Sequence, residues 1–196
     1  MFTGIIEETG IIKEIQRCEQ TLKLKTKASV VMEDIQVGDS IALNGICLTV
    51  TDFTDHYFSV DVMPETFQAS SLYQLKENSS VNLERSMPAD GRFGGHFVTG
   101  HVDGTGKIRH KAIKENAILF EVAVPDLLSI YLMNKGSITI DGVSLTIFGC
   151  DETSVNLSII PHTANATVLG EKQIGDTVNL EIDMMAKYLY TFVHSQ

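Results

Sequence analysis

Residues 40–50 read SIALNGICLTV and residues 137–147 read SITIDGVSLTI, and these two stretches decide the fold. In the first, Ile46, Leu48 and Val50 fall on one face and Cys47 and Thr49 on the other, the alternation of a half-buried strand. In the second, Val143, Leu145 and Ile147 oppose Ser144 and Thr146 in the same way. Ahead of each strand stands Asn44-Gly45 or Asp141-Gly142. Both residues of such dipeptides tolerate positive φ, so each predicts a tight hairpin turn. The same hairpin is therefore written twice.

Working outward, the likeness continues. Residues 3–12, TGIIEETGII, align with residues 99–108, TGHVDGTGKI. Val62-Met63-Pro64-Glu65-Thr66 aligns with Ile159-Ile160-Pro161-His162-Thr163, and Val81-Asn82-Leu83-Glu84 with Val178-Asn179-Leu180-Glu181. The offset is 96 at the start and 97 afterwards. Four blocks in one order make the chain two copies of one unit, with a boundary near Arg92-Phe93-Gly94-Gly95. We take 1–97 as the first unit and 98–183 as the second.

Within each unit, Phe58, Val60 and Val62 alternate with Ser59 and Asp61, as Val155, Leu157 and Ile159 do with Asn156 and Ser158. Pro64 and Pro161 follow, and proline suits the first turn of a helix, so short helices are predicted near 64–72 and 161–169. Several short strands with turn signals predict a small barrel per unit. The fold class is all-β, two β-barrels in tandem. After Asp183 the period changes. Met185, Leu189, Phe192 and Val193 fall at helical spacing, so 184–196 reads as a helix whose apolar stripe packs on its own barrel or joins subunits.

Composition narrows function. The chain has 196 residues, 43% of them hydrophobic, and a formal net charge of −10. So acidic a chain repels nucleic acid and anionic membranes, and neither is expected as a partner. No apolar run approaches the roughly 20 residues that span a bilayer, and the start lacks the basic and apolar regions of a signal peptide. A cytoplasmic location is expected. Three cysteines, Cys18, Cys47 and Cys150, are odd in number and widely spaced, which argues against a disulfide framework. The segment HVDGTGK lacks the pattern of a P-loop, and His96 and His101 have no nearby cysteine pair, so no metal site is expected.

Each copy places small polar groups on one strand face: Cys47, Thr49 and Asp61, then Ser144, Thr146 and Ser158. Such groups suit a flat heterocycle with amide-like edges. His101 stands where the first copy has Ile5, and histidine as a residue type exchanges protons near neutrality. Asp183 ends the second unit as an acid/base candidate or as the cap of the tail helix. Lys135 precedes a turn glycine.

The start MFTGIIEETG, the strands NGICLTV and IDGVSLTI, and the linker GGHFVTGHVDG resemble the riboflavin synthases. The resemblance implies two six-stranded antiparallel Greek-key barrels with a C-terminal helix for trimerisation. It implies that two molecules of 6,7-dimethyl-8-ribityllumazine exchange a four-carbon unit to give riboflavin and 5-amino-6-ribitylaminouracil, with neither metal nor redox cofactor. It further implies a homotrimer whose active sites lie between the first barrel of one subunit and the second of a neighbour, and association with lumazine synthase. By motif match, the first-barrel substrate contacts are Gly4, Ile5, Ile6, Cys47, Leu48, Thr49, Asp61, Val62, Met63, Pro64, Glu65 and Thr66. Those of the second are Gly100, His101, Val102, Lys135, Ser144, Leu145, Thr146, Ser158, Ile159, Ile160, Pro161, His162 and Thr163. His101, Ser144, Cys47 and Asp183 are the catalytic candidates. Lumazine-binding antenna proteins share the tandem fold without catalysing, and retention of polar residues in both copies favours the enzyme. A flavin-dependent reductase would need a nucleotide-binding domain for which no chain is left.

Overall fold

The computed structural model describes residues 1–17 and 21–194; Cys18 and the last two residues of the tail fall outside them. Twelve strands form two closed antiparallel barrels. The first holds β1 (Glu8–Arg17), β2 (Leu22–Lys27), β3 (Ser40–Leu43), β4 (Ile46–Phe53), β5 (Tyr57–Val62) and β6 (Ser80–Arg85), hydrogen-bonded in the order β1-β2-β5-β4-β3-β6. The second holds β7 (Gly104–Lys114), β8 (Ala117–Ala123), β9 (Ser137–Ile140), β10 (Val143–Cys150), β11 (Ser154–Ile159) and β12 (Thr177–Ile182), paired in the equivalent order. Helices α1 (Pro64–Ala69), α2 (Asp126–Ser129), α3 (Pro161–Ala166) and α4 (Met184–His194) lie outside the strands, with short 3-10 turns at Val30–Met32, Ser71–Gln74 and Val168–Gly170. Among the described residues, no helix is long and apolar enough to cross a membrane.

The local signals act as their chemistry dictates. Asn44 and Gly45 take φ of 47° and 80°, and Asp141 and Gly142 take 46° and 81°, so both hairpins turn through left-handed backbone. Pro64 and Pro161 open α1 and α3. Register shifts fall at equivalent places in both barrels: Ile12/Glu14 and Ile108/His110, then Val50/Asp52 and Ile147/Gly149. These bulges bend the strands so that the sheet closes. Each barrel is filled by its own apolar cluster, Leu24, Leu43, Phe58, Val60 and Leu83 in the first and Ile138, Ile140, Leu157, Val178 and Leu180 in the second.

The barrels meet about a pseudo-twofold axis on which the two hairpin turns lie back to back; a Cβ built on Gly45 would stand 2.7 Å from the Gly142 nitrogen. Two fully buried asparagines clamp this junction. Asn82 Nδ2 donates to the Asp141 carbonyl and its Oδ1 accepts from Val168 N–H, at 2.9 and 2.8 Å. Asn179 does the reciprocal, donating to the Asn44 carbonyl at 2.9 Å and accepting from Ser71 N–H at 2.6 Å.

Helix α4 is capped by Asp183, whose carboxylate accepts from Met185 N–H at 2.9 Å, as an N-cap aspartate does. Tyr190 meets Tyr131 edge-on and Ala186 packs against the second core. The sequence-predicted stripe faces the other way: Met185, Leu189, Phe192 and Val193 are all more than half exposed.

Candidate active site

The leading segment of each copy does not sit on its own barrel. Phe2 bridges to Val98, and the segments 2–6 and 98–102 then diverge to opposite barrels. Gly4 accepts a hydrogen bond from Ser144 N–H on β10, and Gly100 accepts one from Cys47 N–H on β4, both at 2.8 Å. Ile6 packs against the core of the second barrel, and Val102 against that of the first. Grouping Gly4–Ile6 with Cys47 and Gly100–Val102 with Ser144, as the repeat suggests, is therefore corrected: the segments are exchanged. The approach is close enough to require glycine. At Gly100, φ 78°, a Cβ would lie 2.5 Å from Cys47 Cβ, and at Gly4, φ 75°, 2.7 Å from Ser144 Cβ.

Two pseudo-equivalent sites result. The first brings Gly100, His101 and Val102 to Cys47, Leu48 and Thr49 on β4, with Asp61–Thr66 following on the adjacent β5 and α1. The second brings Gly4, Ile5 and Ile6 to Ser144, Leu145 and Thr146 on β10, with Ser158–Thr163 following on β11 and α3. Thr49, Asp61, Met63, Pro64, Glu65, Thr146, Ser158, Ile160, Pro161 and His162 are exposed. Leu48, Val62 and Ile159 turn their side chains into the barrel cores and offer only main chain to a ligand. Lys135 is exposed on the turn before β9, held in left-handed backbone with φ 69°.

The sites differ in chemistry. At the first, Cys47 is half-buried and His101 is exposed. At the second, the Ser144 hydroxyl lies 2.8 Å from His96 Nδ1. Burial holds the His96 pKa below the usual histidine value, with the nearby Asp183 carboxylate opposing that shift. A neutral imidazole beside a hydroxyl can accept its proton. Among the described residues, His96 Nε2 is buried without a hydrogen-bond partner. The sequence reading weighed His96 only as a metal ligand, because it precedes the first aligned block of its copy and has no counterpart in copy one; its signal is the glycine pair before it, since a Cβ on Gly95 would strike Ser144.

Two buried glutamates also escaped the sequence reading. Glu84 Oε1 accepts from Thr3 N–H and the Thr3 hydroxyl at 2.7 and 2.8 Å, and its Oε2 accepts from Gly4 N–H at 3.0 Å. Glu181 accepts from Thr99 N–H, the Thr99 hydroxyl and Gly100 N–H at 2.7, 2.6 and 3.0 Å. Lys187 of α4 pairs with Asp103 at 2.9 Å, tying the tail helix to the strand that follows His101. A cavity of about 690 Å³ lies elsewhere, beside the linker from Ser86 to Gly94, and among the candidate contacts it touches Ile5 alone.

Comparison with known proteins agrees with the repeat. The model of the lumazine binding domain matches twice, at residues 3–86 and 99–183. The chain is 56% identical over 194 residues to the riboflavin synthase of Bacillus subtilis, covering 99% of this chain and 90% of that one. It is 49% identical to the riboflavin synthase of Actinobacillus pleuropneumoniae, covering 98% and 90%. Among solved structures, LumP complexed with riboflavin superposes with a TM-score of 0.86 at 24% identity, over 93% of this chain and 99% of that one, a likeness of fold.

Proposed function

The chain belongs to the riboflavin synthases, and from that premise we propose that in the cytoplasm it joins two molecules of 6,7-dimethyl-8-ribityllumazine, passing a four-carbon unit between them to give riboflavin and 5-amino-6-ribitylaminouracil. The observation that carries the reading is the pair of exchanged sites, each pressing a glycine-bearing segment onto a polar strand face. One heterocycle lies against Cys47–Thr49 and Gly100–Val102, the other against Ser144–Thr146 and Gly4–Ile6. Stacking the two rings supplies proximity and orientation. The C7 methyl of one lumazine is acidic because the ring delocalises the carbanion. His101 takes and returns that proton. Ser144, with His96 to accept its proton and Asp183 beside it, and Cys47 at the other site, assist the attacking and departing groups. Because the two sites carry different groups, the two substrates take different roles. Incubating the protein with the dimethyl lumazine should produce riboflavin fluorescence without any added cofactor. Tight binding with no product would instead favour a non-catalytic lumazine-binding protein.

The assembly proposed is a homotrimer, with each active site between the first barrel of one subunit and the second of its neighbour, and with lumazine synthase as a further partner on the resemblance alone. The exposed stripe of α4 supports the trimer. Burying its four apolar side chains contributes about 1.5–3 kcal/mol each. Leu189→Glu with Phe192→Glu should give a species of one-chain mass by light scattering. A trimer that survives both changes refutes a role for this helix in assembly.

A further inference from the structure

We infer, resting on the reading above, that Glu84 and Glu181 are positioning residues that each set the seat of one substrate: Glu181, through Thr99-Gly100-His101, for the heterocycle against Cys47, and Glu84, through Thr3-Gly4-Ile5, for the one against Ser144.

Glutamate is among the residues least often buried, yet Glu84 and Glu181 are 5% and 1% exposed. Each stands on the last strand of its barrel, β6 or β12, beneath the leading segment of its own copy. Each is buried with its carboxylate bonded to that segment, so it acts on the ligand seat through the segment. What each does reach is a fixed set of donors: two main-chain N–H groups and one threonine hydroxyl. A carboxylate satisfies all three with acceptor oxygens alone. A glutamine would turn one NH2 toward a main-chain N–H, setting donor against donor. Burial raises both carboxyl pKa values, and the converging N–H donors oppose the rise.

The segment is thus gripped on two sides. Its threonine and glycine nitrogens donate to the glutamate of one barrel, while the glycine carbonyl accepts from the strand of the other, Cys47 or Ser144. The Thr99 hydroxyl continues the chain by accepting from His101 N–H at 3.3 Å. Loosening the glutamate frees the segment at one site and leaves the pseudo-equivalent site gripped. A purely structural role predicts no such selectivity between sites.

Cys47 supplies a reporter confined to one site. The full-length protein is alkylated with iodoacetamide across a titration of 6,7-dimethyl-8-ribityllumazine, and modification of the Cys47 peptide is followed by mass spectrometry. In Glu181→Gln the lumazine concentration giving half-protection should rise about tenfold, the loss of one charge-assisted hydrogen bond. In Glu84→Gln it should stay within about twofold of wild type, although turnover falls in both. Equal shifts in the two variants, or no shift in Glu181→Gln, overturn the inference. If Glu181→Gln melts early by circular dichroism, Thr99→Val decides by the same readout, since it removes one donor and keeps the carboxylate. A wild-type protein that forms no riboflavin and is not protected at Cys47 refutes the parent reading, and the inference with it. Wild-type turnover with unselective shifts refutes the inference alone.

Discussion

Replacing His101 by glutamine lowers turnover by roughly 10²- to 10⁴-fold, the range expected when a positioned acid–base group is lost. The side chain is exposed at the first site, carried on a segment whose main chain is fixed by Glu181 and by Cys47. Among the described residues its ring makes no hydrogen bond, so folding does not depend on it. Glutamine can still donate and accept a hydrogen bond but does not titrate, which separates proton transfer from binding. The expected pattern is a fall in kcat with KM changed by less than about threefold, and an unchanged melting temperature. An unchanged kcat would leave His101 a bystander. His96 and Ser144 would then remain the acid–base pair, acting from the other site.

Asn82→Leu lowers stability by about 2–6 kcal/mol, a large share of the roughly 5–15 kcal/mol that holds an ordinary domain folded. Leucine is close in volume, so little cavity opens. The cost comes from two groups left without partners in the buried junction, the Val168 N–H and the Asp141 carbonyl. Each buried orphan costs about 1–3 kcal/mol. Asn179→Leu strands Ser71 N–H and the Asn44 carbonyl in the mirror position and is expected to cost the same. Urea unfolding measures the effect as a shift in midpoint. A loss below about 0.5 kcal/mol for both variants would mean that the junction does not depend on the two asparagines.

These asparagines show where reading the sequence reached its limit. The block Val81-Asn82-Leu83-Glu84 and its copy are plain as a repeat, and period two assigns Val and Leu to the core. The same rule turns Asn82 and Glu84 to water. In the structure both faces of the strand are covered, one by the barrel and the other by the opposite half and the leading segment, so all four residues are buried. Periodicity reports one sheet and one core; it carries no information about a second body docked on the far face. Elements specified locally were legible. The left-handed turns at Asn44-Gly45 and Asp141-Gly142 follow from residue type, the helices after Val62 and Ile159 from proline, and the barrels from alternation. The exchange of leading segments was not, because TGIIEETG and TGHVDGTG say only that the backbone is extended. Which strand accepts it is decided by Gly4 against Ser144 and Gly100 against Cys47, contacts between residues far apart in the chain. For the same reason the polar face of each site was legible, while its partner segment and His96 were not.

The exchange also bears on how the molecule is made. Synthesis proceeds from the amino terminus, so Gly4 emerges long before the strand that receives it, and at ~5–20 residues per second the wait is on the order of 10 s. Through that interval the first barrel can close its sheet while Phe2–Ile6 is held by Glu84 and by the packing of Phe2 against Ala42, with its receiving strand still to come. The waiting segment has a fixed shape, a hydrogen-bonding edge and an apolar residue, Ile6, destined for another core. On a polysome, neighbouring nascent chains present the same segment and, further along, the same vacant seat. A chain that lends its amino terminus to a neighbour makes every native contact with the wrong molecule. Linked pairs of chains with intact barrels are the misassembly this architecture invites during crowded expression, and slower release from the ribosome would favour them.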